Sequence, residues 1–377
     1  MPLIVAGLFV LACTGAAQED VIAASPEERP WVPDLRNPGR RVEIPPERRL
    51  EVVILGDGYL EDERERFERD VLGWYDRFLT YVPWREFRGA FRVRGLWTPG
   101  AARASRERRS RYAIASTPFD VGDVAGPQTR AGIFRALERL DAARVRTGGR
   151  LTHTTVVMLV LNERGMQPSG LAREIASPDG ALSVAVGFAA NAHHEFGHAY
   201  GGLRDEYIRA AGLRAERRTP DRPSLFTVSN IAHTKERRLL PWAHLSPGSE
   251  INPDPESVIG VLWVGGVAEE GAWHSEARCL MNGTHDNWTL DRSRRGAMLR
   301  DLDRFCFWCE EILVARTLHR TGQLGDSADG EILWKRWEEL RPHYHKTFDV
   351  PARIRIQNEL DARAGLREAR IYERPIP

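Results

Sequence analysis

Within fifteen residues, HHEFGHAYGGLRDEY (193–207) gathers three histidines, two adjacent glycines, three carboxylates and an arginine. His194 and His198 stand four apart. On a helix that leaves them ~40° apart on one face, one turn of ~6 Å up. Both imidazoles then reach one metal ion at ~2.0–2.1 Å. Glu195 projects about 100° round the helix, outside the ligand pair but near enough to hold a water on the ion; this is the content of the H-E-x-x-H pattern. The same pattern also occurs on ordinary helices with exposed histidines. His193, with no partner at i+4, reads as a histidine behind the site or on the surface.

A catalytic zinc needs a third protein ligand and one open position. Asp205 follows His198 by seven residues, and an unbroken helix would carry it ~10 Å along the axis. It converges on the ion only if the chain stops and turns back. Gly201-Gly202 supplies the positive-φ freedom for that turn. The expected ligands are therefore His194, His198 and Asp205, with Glu195 as general base and Glu206 as an outside candidate for the third position.

The elements that must position these residues follow from periodicity. LEVVILGDGYL (50–60) reads as a buried strand ending in a glycine turn. Phe67, Val71, Trp74 and Phe78 then recur at helical spacing. The GDG turn lacks the Lys-Ser/Thr or third glycine of a phosphate loop. FRVRGLW (91–97) reads as a strand, and RAGIFRALERLDAARVR as an amphipathic helix. THTTVVMLVLN (152–162) is apolar on both faces and so central, and ALSVAVGF (181–188) is a shorter strand just before the histidines. The alternation predicts an α/β (α+β) layered domain with a mixed twisted sheet, an active-site helix and a loop-rich C-terminal subdomain. The strand at 181–188 is expected to offer its edge to a substrate backbone. A last helix, 329–348, is expected to lead into a charged tail. The expected boundaries are a signal over 1–17, a Pro- and charge-rich extended leader over 18–48, the metal-binding domain over 49–320, and the helix and tail over 321–377.

The chain has 377 residues, 42% hydrophobic and 28% charged, as in a soluble globular protein. A formal net charge of +1 predicts no preference for nucleic acid or anionic lipid. The densest basic patch, ASRERRSRY (104–112), reads as a solvated loop. About ten apolar residues open the chain, too few to span a bilayer. Small residues and then polar chain follow, which is the layout of a secretory signal without a charged n-region. Cleavage after Ala17 and lipidation at Cys13 in VLAC both fit, although Leu11 is large for a lipobox. Export is the expectation. Beyond the signal remain Cys279, Cys306 and Cys309. A structural zinc wants four ligands, and FCFWC has no second CxxC to complete one. In an oxidising compartment a disulfide from Cys279 to Cys306 or Cys309 is the expectation.

HEFGHAYGGLRDEY resembles the signature of the IgA-peptidase family of zinc metallopeptidases, a metzincin-like group whose pattern reads HEFGH, three residues, then GL-x-DEY. EVVILGDGYLEDERERF, MLVLN, RCLMNG and FCFWC extend the likeness over roughly 50–315. The resemblance implies one catalytic Zn2+ on His194, His198 and Asp205, with Glu195 as base. It also implies Met281 as an apolar floor beneath the ion, and a protein or glycoprotein as substrate. Membrane contact would come only through a lipid at Cys13. Two departures stand out. Arg204 occupies the place of the commoner metzincin third ligand, and Gly283 that of a tyrosine that binds the oxyanion in some members; Tyr207 and His285 are the substitutes. The alternatives in other classes are a non-catalytic protein- or glycan-binding module on the same fold, and a zinc hydrolase of a non-peptide amide.

Overall fold

A computed structural model describes residues 21–25, 30–100, 127–140, 156–162, 170–177, 180–187, 192–208, 214–215, 224–266, 268, 270–282, 304–369 and 372–374. The expected signal with Cys13, the basic patch 104–112, Gly283 and His285 lie outside them.

The chain enters through three short strands, β1 (Val21–Ala23), β2 (Trp31–Pro33) and β3 (Arg41–Glu43). β2 and β3 form an antiparallel pair, while β1 joins the main sheet. The expected leader is thus extended in places, but it does not merely cross the surface: Val32, Leu35 and Ile44 are buried in the core. Isolated apolar residues among prolines gave no periodicity to reveal this.

β4 (Leu50–Asp57) is buried along its whole length. It pairs in parallel on both sides, with β5 (Phe91–Leu96) and with β6 (Val156–Leu161). Strands covered on both faces read as continuous apolar runs, as LEVVIL and VVMLVL do. Helix α1 (Arg64–Phe78) connects β4 toward β5, and α2 (Pro127–Leu140) precedes β6. Alternate side chains serve two cores. Val52, Ile54, Met158 and Val160 face Phe67, Val71 and Phe78 of α1. Val53, Leu55, Val157 and Leu159 face Ile133 and Leu137 of α2.

The sheet ends with β7 (Leu171–Ser177) and β8 (Gly180–Gly187), in the spatial order β1-β5-β4-β6-β8-β7. β8 runs parallel to β6 and antiparallel to β7. Both edges of the 181–188 segment are therefore occupied, which corrects the expectation that it receives a substrate strand. Among the described residues, β7 pairs with β8 alone.

After β8 come α3 (Ala192–Gly201), the short strands β9 (Leu262–Val264) and β10 (Trp273–His274), and α4 (Phe307–Arg320). The expected last helix is α5 (Gly330–Thr347), but the charged tail folds as well, into α6 (Val350–Arg363) and β11 (Tyr372–Glu373). Asp349 caps α6 through its side chain, accepting from Ala352 N–H, and Pro351 sits in the first turn. Those start signals stand in the sequence DVPAR. β11 then pairs with β9. Among the described residues no helix is long and apolar enough to cross a membrane.

Buried charge fixes α4 to the C-terminal helices. Glu310 accepts from Arg353 at 2.6 and 2.7 Å, and also from Tyr344. Glu311 meets His345 at 2.8 Å and His244 at 2.9 Å. Removing one partner of a buried pair leaves the other charge uncompensated. Arg353→Met is expected to cost about 3 kcal/mol in urea unfolding. Arg363→Met, which removes the exposed pair with Glu359, is expected to cost under ~1 kcal/mol. Equal midpoints for the two variants would refute the buried network.

Candidate metal centre

α3 carries HHEFGH, and its exit is a left-handed turn. Gly202 has φ +55°, and its N–H donates to the His198 carbonyl at 2.8 Å. That bond, four residues back from a glycine at C′, is the αL way of closing a helix, and Leu203 N–H adds a longer bond to the Gly197 carbonyl at 3.3 Å. Residues 202–206 then run without helix back along the same face. The turn delivers Asp205 Oδ1 to 3.0 Å from His194 Nε2 and 3.1 Å from His198 Nε2, and the two Nε2 atoms are 3.0 Å apart.

The other nitrogen of each ring is fixed by backbone. His194 Nδ1 donates to the Leu280 carbonyl at 2.8 Å, and His198 Nδ1 to the Leu203 carbonyl at 2.6 Å. A carbonyl only accepts, so each Nδ1 holds a hydrogen and each neutral Nε2 presents a lone pair. Two lone pairs and a carboxylate oxygen thus face one another at contact distance, an arrangement that needs a cation or shared protons at its centre. Ligand atoms of a tetrahedral site with ~2.1 Å bonds lie about 3.4 Å apart, so the triangle fits zinc with shifts of a few tenths of an ångström. Without an ion, protons take its place. Burial pushes the His194 pKa down, but the hydrogen bond to Asp205 and the nearby Glu195 raise it to about 9. Burial would raise the Asp205 carboxyl, yet its bonds to His194 and His198 hold it well below the ordinary carboxylate range.

Glu195 is buried beside the pair and belongs to the same convergent group as His194 and His198. Burial raises its pKa above the ordinary value, offset in part by the two histidines. Its carboxylate passes directly against Gly170, the residue before β7. A Cβ there would lie 2.1 Å from Glu195 Oε1 and 2.3 Å from Cδ. Gly170 was not singled out in the sequence, because its neighbour is distant in the chain. Gly170→Ala is expected to displace the carboxylate and lower kcat at least about tenfold, since misplacements of ~1 Å reach a factor of ~100. Metal content should stay unchanged, and a wild-type kcat would show that Glu195 tolerates the shift.

Met281 lies in a buried 3-10 turn (Leu280–Asn282) under the same helix. A Cβ on Gly197 would come within 2.8 Å of its sulfur, so Met281 packs against α3 between the two histidine positions. Tyr207 is half-buried, its ring 6.5 Å from that of His194. His193 is neither at the surface nor at the site. It stacks on Trp74 at 4.8 Å and donates from Nε2 to the Trp74 carbonyl at 2.9 Å, so it is a core histidine. Burial lowers its pKa to about 3. Glu206 points away from the histidines into a fully buried site of its own. The structure holds the three cysteines as free thiols, with the sulfurs of Cys279 and Cys309 3.8 Å apart, rather than as the expected disulfide.

The model of one protein family, described as IgA Peptidase M64, matches residues 42–255. The chain belongs to this family. The match covers more than half of the chain, from β3 through α3 and the returning Asp205, and the family is one of metallopeptidases. No curated protein matches the chain. The IgA peptidase assignment makes the substrate a protein. Met281, Cys279, Cys306 and Cys309 lie C-terminal to the matched residues.

Proposed function

We propose that this IgA peptidase family member is an exported, zinc-dependent endopeptidase whose ion is held by His194, His198 and Asp205 and whose general base is Glu195. One observation carries the reading: both histidines are locked by backbone carbonyls with Nε2 turned to a shared point where Asp205 Oδ1 also arrives. Zinc, when bound there, supplies a Lewis acid for the scissile carbonyl and a lower pKa for water. The rest is work for the chain. Glu195, wedged against Gly170, takes the proton of the attacking water and returns it to the leaving amine, a shuttle worth on the order of 10²–10⁴ in rate. Met281 gives the site an apolar floor. The edge of β7, which starts just after Gly170, is where an extended substrate backbone is best placed to pair. Such pairing binds main chain rather than side chains and suits a loose sequence preference. The N-terminal segment, through signal cleavage or a lipid on Cys13, would place the enzyme outside the cytoplasm.

The test is cleavage of a panel of proteins and glycoproteins by the full chain, with a zinc chelator and with zinc restored. Cleavage that disappears with chelator and returns with zinc is the expected result. Undiminished cleavage after complete metal removal would overturn the metal centre. Retention of a glycoprotein without cleavage would favour a binding module, and hydrolysis confined to non-peptide amides a different hydrolase.

A further inference from the structure

A second group of metal-binding side chains lies in the core. Cys279 precedes the Met281 turn, Cys306 caps the N-terminus of α4, Cys309 lies in its first turn, and Glu206 follows Asp205. All four are buried, with one ligand atom of each within 4.8 Å of all the others. Cys279 Sγ is 3.8 Å from Cys309 Sγ. Glu206 Oε1 is 3.1 Å from Cys309 Sγ and 3.8 Å from Cys306 Sγ. A zinc tetrahedron with metal–sulfur bonds of ~2.3 Å sets its sulfurs about 3.8 Å apart and its sulfur–oxygen edges near ~3.5 Å.

Backbone N–H groups are aimed at two of the sulfurs, against burial that pushes the Cys306 and Cys309 thiols up. Cys279 Sγ accepts from Met281 N–H at 3.4 Å and from Cys306 N–H at 3.3 Å, and Cys306 Sγ accepts from Cys309 N–H at 3.3 Å. The last bond sits at the positive end of α4, a setting that stabilises the thiolate form. Ser275 Oγ donates to Cys306 Sγ at 3.6 Å. Asn230 Nδ2 donates to Glu206 Oε1 at 2.9 Å, whereas the fully buried Oε2 has no hydrogen-bond partner among the described residues and lies 3.5 Å from His274 Nδ1. Four acidic groups sealed from water at these distances need a cation among them or must stay protonated.

We propose that Cys279, Cys306, Cys309 and Glu206 hold a second zinc ion, structural rather than catalytic. Soft sulfur ligands in a tetrahedral set select zinc among the common divalent ions. With four protein ligands no position is left open for substrate. The ion joins three segments that bear on the active site. Glu206 adjoins the ligand Asp205, Cys279 stands two residues before Met281, and the Cys306-x-x-Cys309 pair anchors α4. Glu206 N–H also donates to the Met281 carbonyl at 2.8 Å. The second ion thus sets the position of the returning Asp205 and of the methionine floor together.

The test uses the full chain produced with zinc and exchanged into metal-free buffer, with zinc content and zinc-edge X-ray absorption as readouts. Two equivalents are expected in the wild type and one in the His194→Ala/His198→Ala double variant. The remaining zinc should have three sulfur neighbours at ~2.3 Å. In that double variant, native alkylation should spare Cys279, Cys306 and Cys309 until chelator and denaturant are added. Where Cys309→Ser fails to fold, Glu206→Gln carries the test, since it keeps the volume and removes the charge. It is expected to lose sulfur-bound zinc to chelator at least about tenfold faster than the wild type, with release of the histidine-bound zinc following, because Asp205 then loses its anchor. A single equivalent that vanishes with the histidines, absence of sulfur scattering, or a disulfide among the three cysteines would overturn the second site and leave the peptidase reading standing. One sulfur-bound equivalent in both the wild type and the double variant would uphold the second site and remove the catalytic one.

Discussion

Glu195→Gln is expected to keep its zinc and its fold and to lose hydrolysis by on the order of 10²–10⁴. The amide has the length and shape of the carboxylate, so it fits the same slot against Gly170. It cannot accept a proton from water. The atoms that meet one another at 3.0–3.1 Å, and would hold the ion, belong to His194, His198 and Asp205, so metal content should not fall. Stability should not fall either, because a neutral amide in a buried place avoids the desolvation that raises the Glu195 pKa. Glu195→Asp keeps the charge but draws it back by one methylene, and an intermediate rate is expected. The checks are metal analysis, circular dichroism and single-turnover cleavage on the same preparations. Turnover by Glu195→Gln equal to wild type would place the base elsewhere.

What the sequence shows of this site is what local geometry determines. The i, i+4 histidine pair is a property of one helix, and the glycine break is a property of its end, so both can be read from fifteen residues. The central strands β4 and β6 are legible for a related reason, since burial on both faces leaves only apolar residues. Pairing is not local. β7 covers one edge of β8, and LAREIAS carries no strand periodicity strong enough to announce it. The contact of Gly170 with Glu195 and the carbonyls of Leu203 and Leu280 on the histidines are likewise long-range or backbone matters. The cysteines show the same limit. FCFWC suggests a metal site, but with no second CxxC in the sequence the expectation falls to a bridge, whereas the fold brings Glu206, about seventy residues before Cys279 in the chain, among the three sulfurs.

Asp205 and Glu206 make the point at the scale of one residue. Both are acidic, adjacent and within reach of the helix end, and composition cannot rank them. Successive side chains of a non-helical, extended segment point to opposite sides. The turn at Gly202 sets the phase, so Asp205 faces the histidines and Glu206 faces the thiols. A turn one residue earlier would exchange the two.

Gly202→Val is therefore expected to weaken zinc binding at the histidine site without altering a ligand. At φ +55° any Cβ is strained, and a β-branched one most of all. The added carbon would also lie 2.4 Å from Arg316 Nη1, so that side chain must move as well. The chain can relieve both by rotating out of the left-handed region, which breaks the N–H bond to the His198 carbonyl and swings Asp205 off the ion. A displacement of ~1 Å at a catalytic centre costs a factor of ~100 in rate, and a comparable loss of kcat is expected. Gly202→Asn is the milder variant, because asparagine tolerates this conformation better than other non-glycine residues. Gly201 is not a neutral control. It has ordinary helical φ, but its Cβ would meet Leu313 Cδ2 at 2.6 Å, so Gly201→Val should lower Tm through overpacking and leave zinc affinity nearer to wild type. Measuring zinc affinity by chelator competition and Tm on the apo-proteins separates the two effects. Should Gly201→Val release zinc while Gly202→Val retains it, the turn that brings Asp205 to the histidines would lie one residue earlier, and Glu206 would become the third ligand.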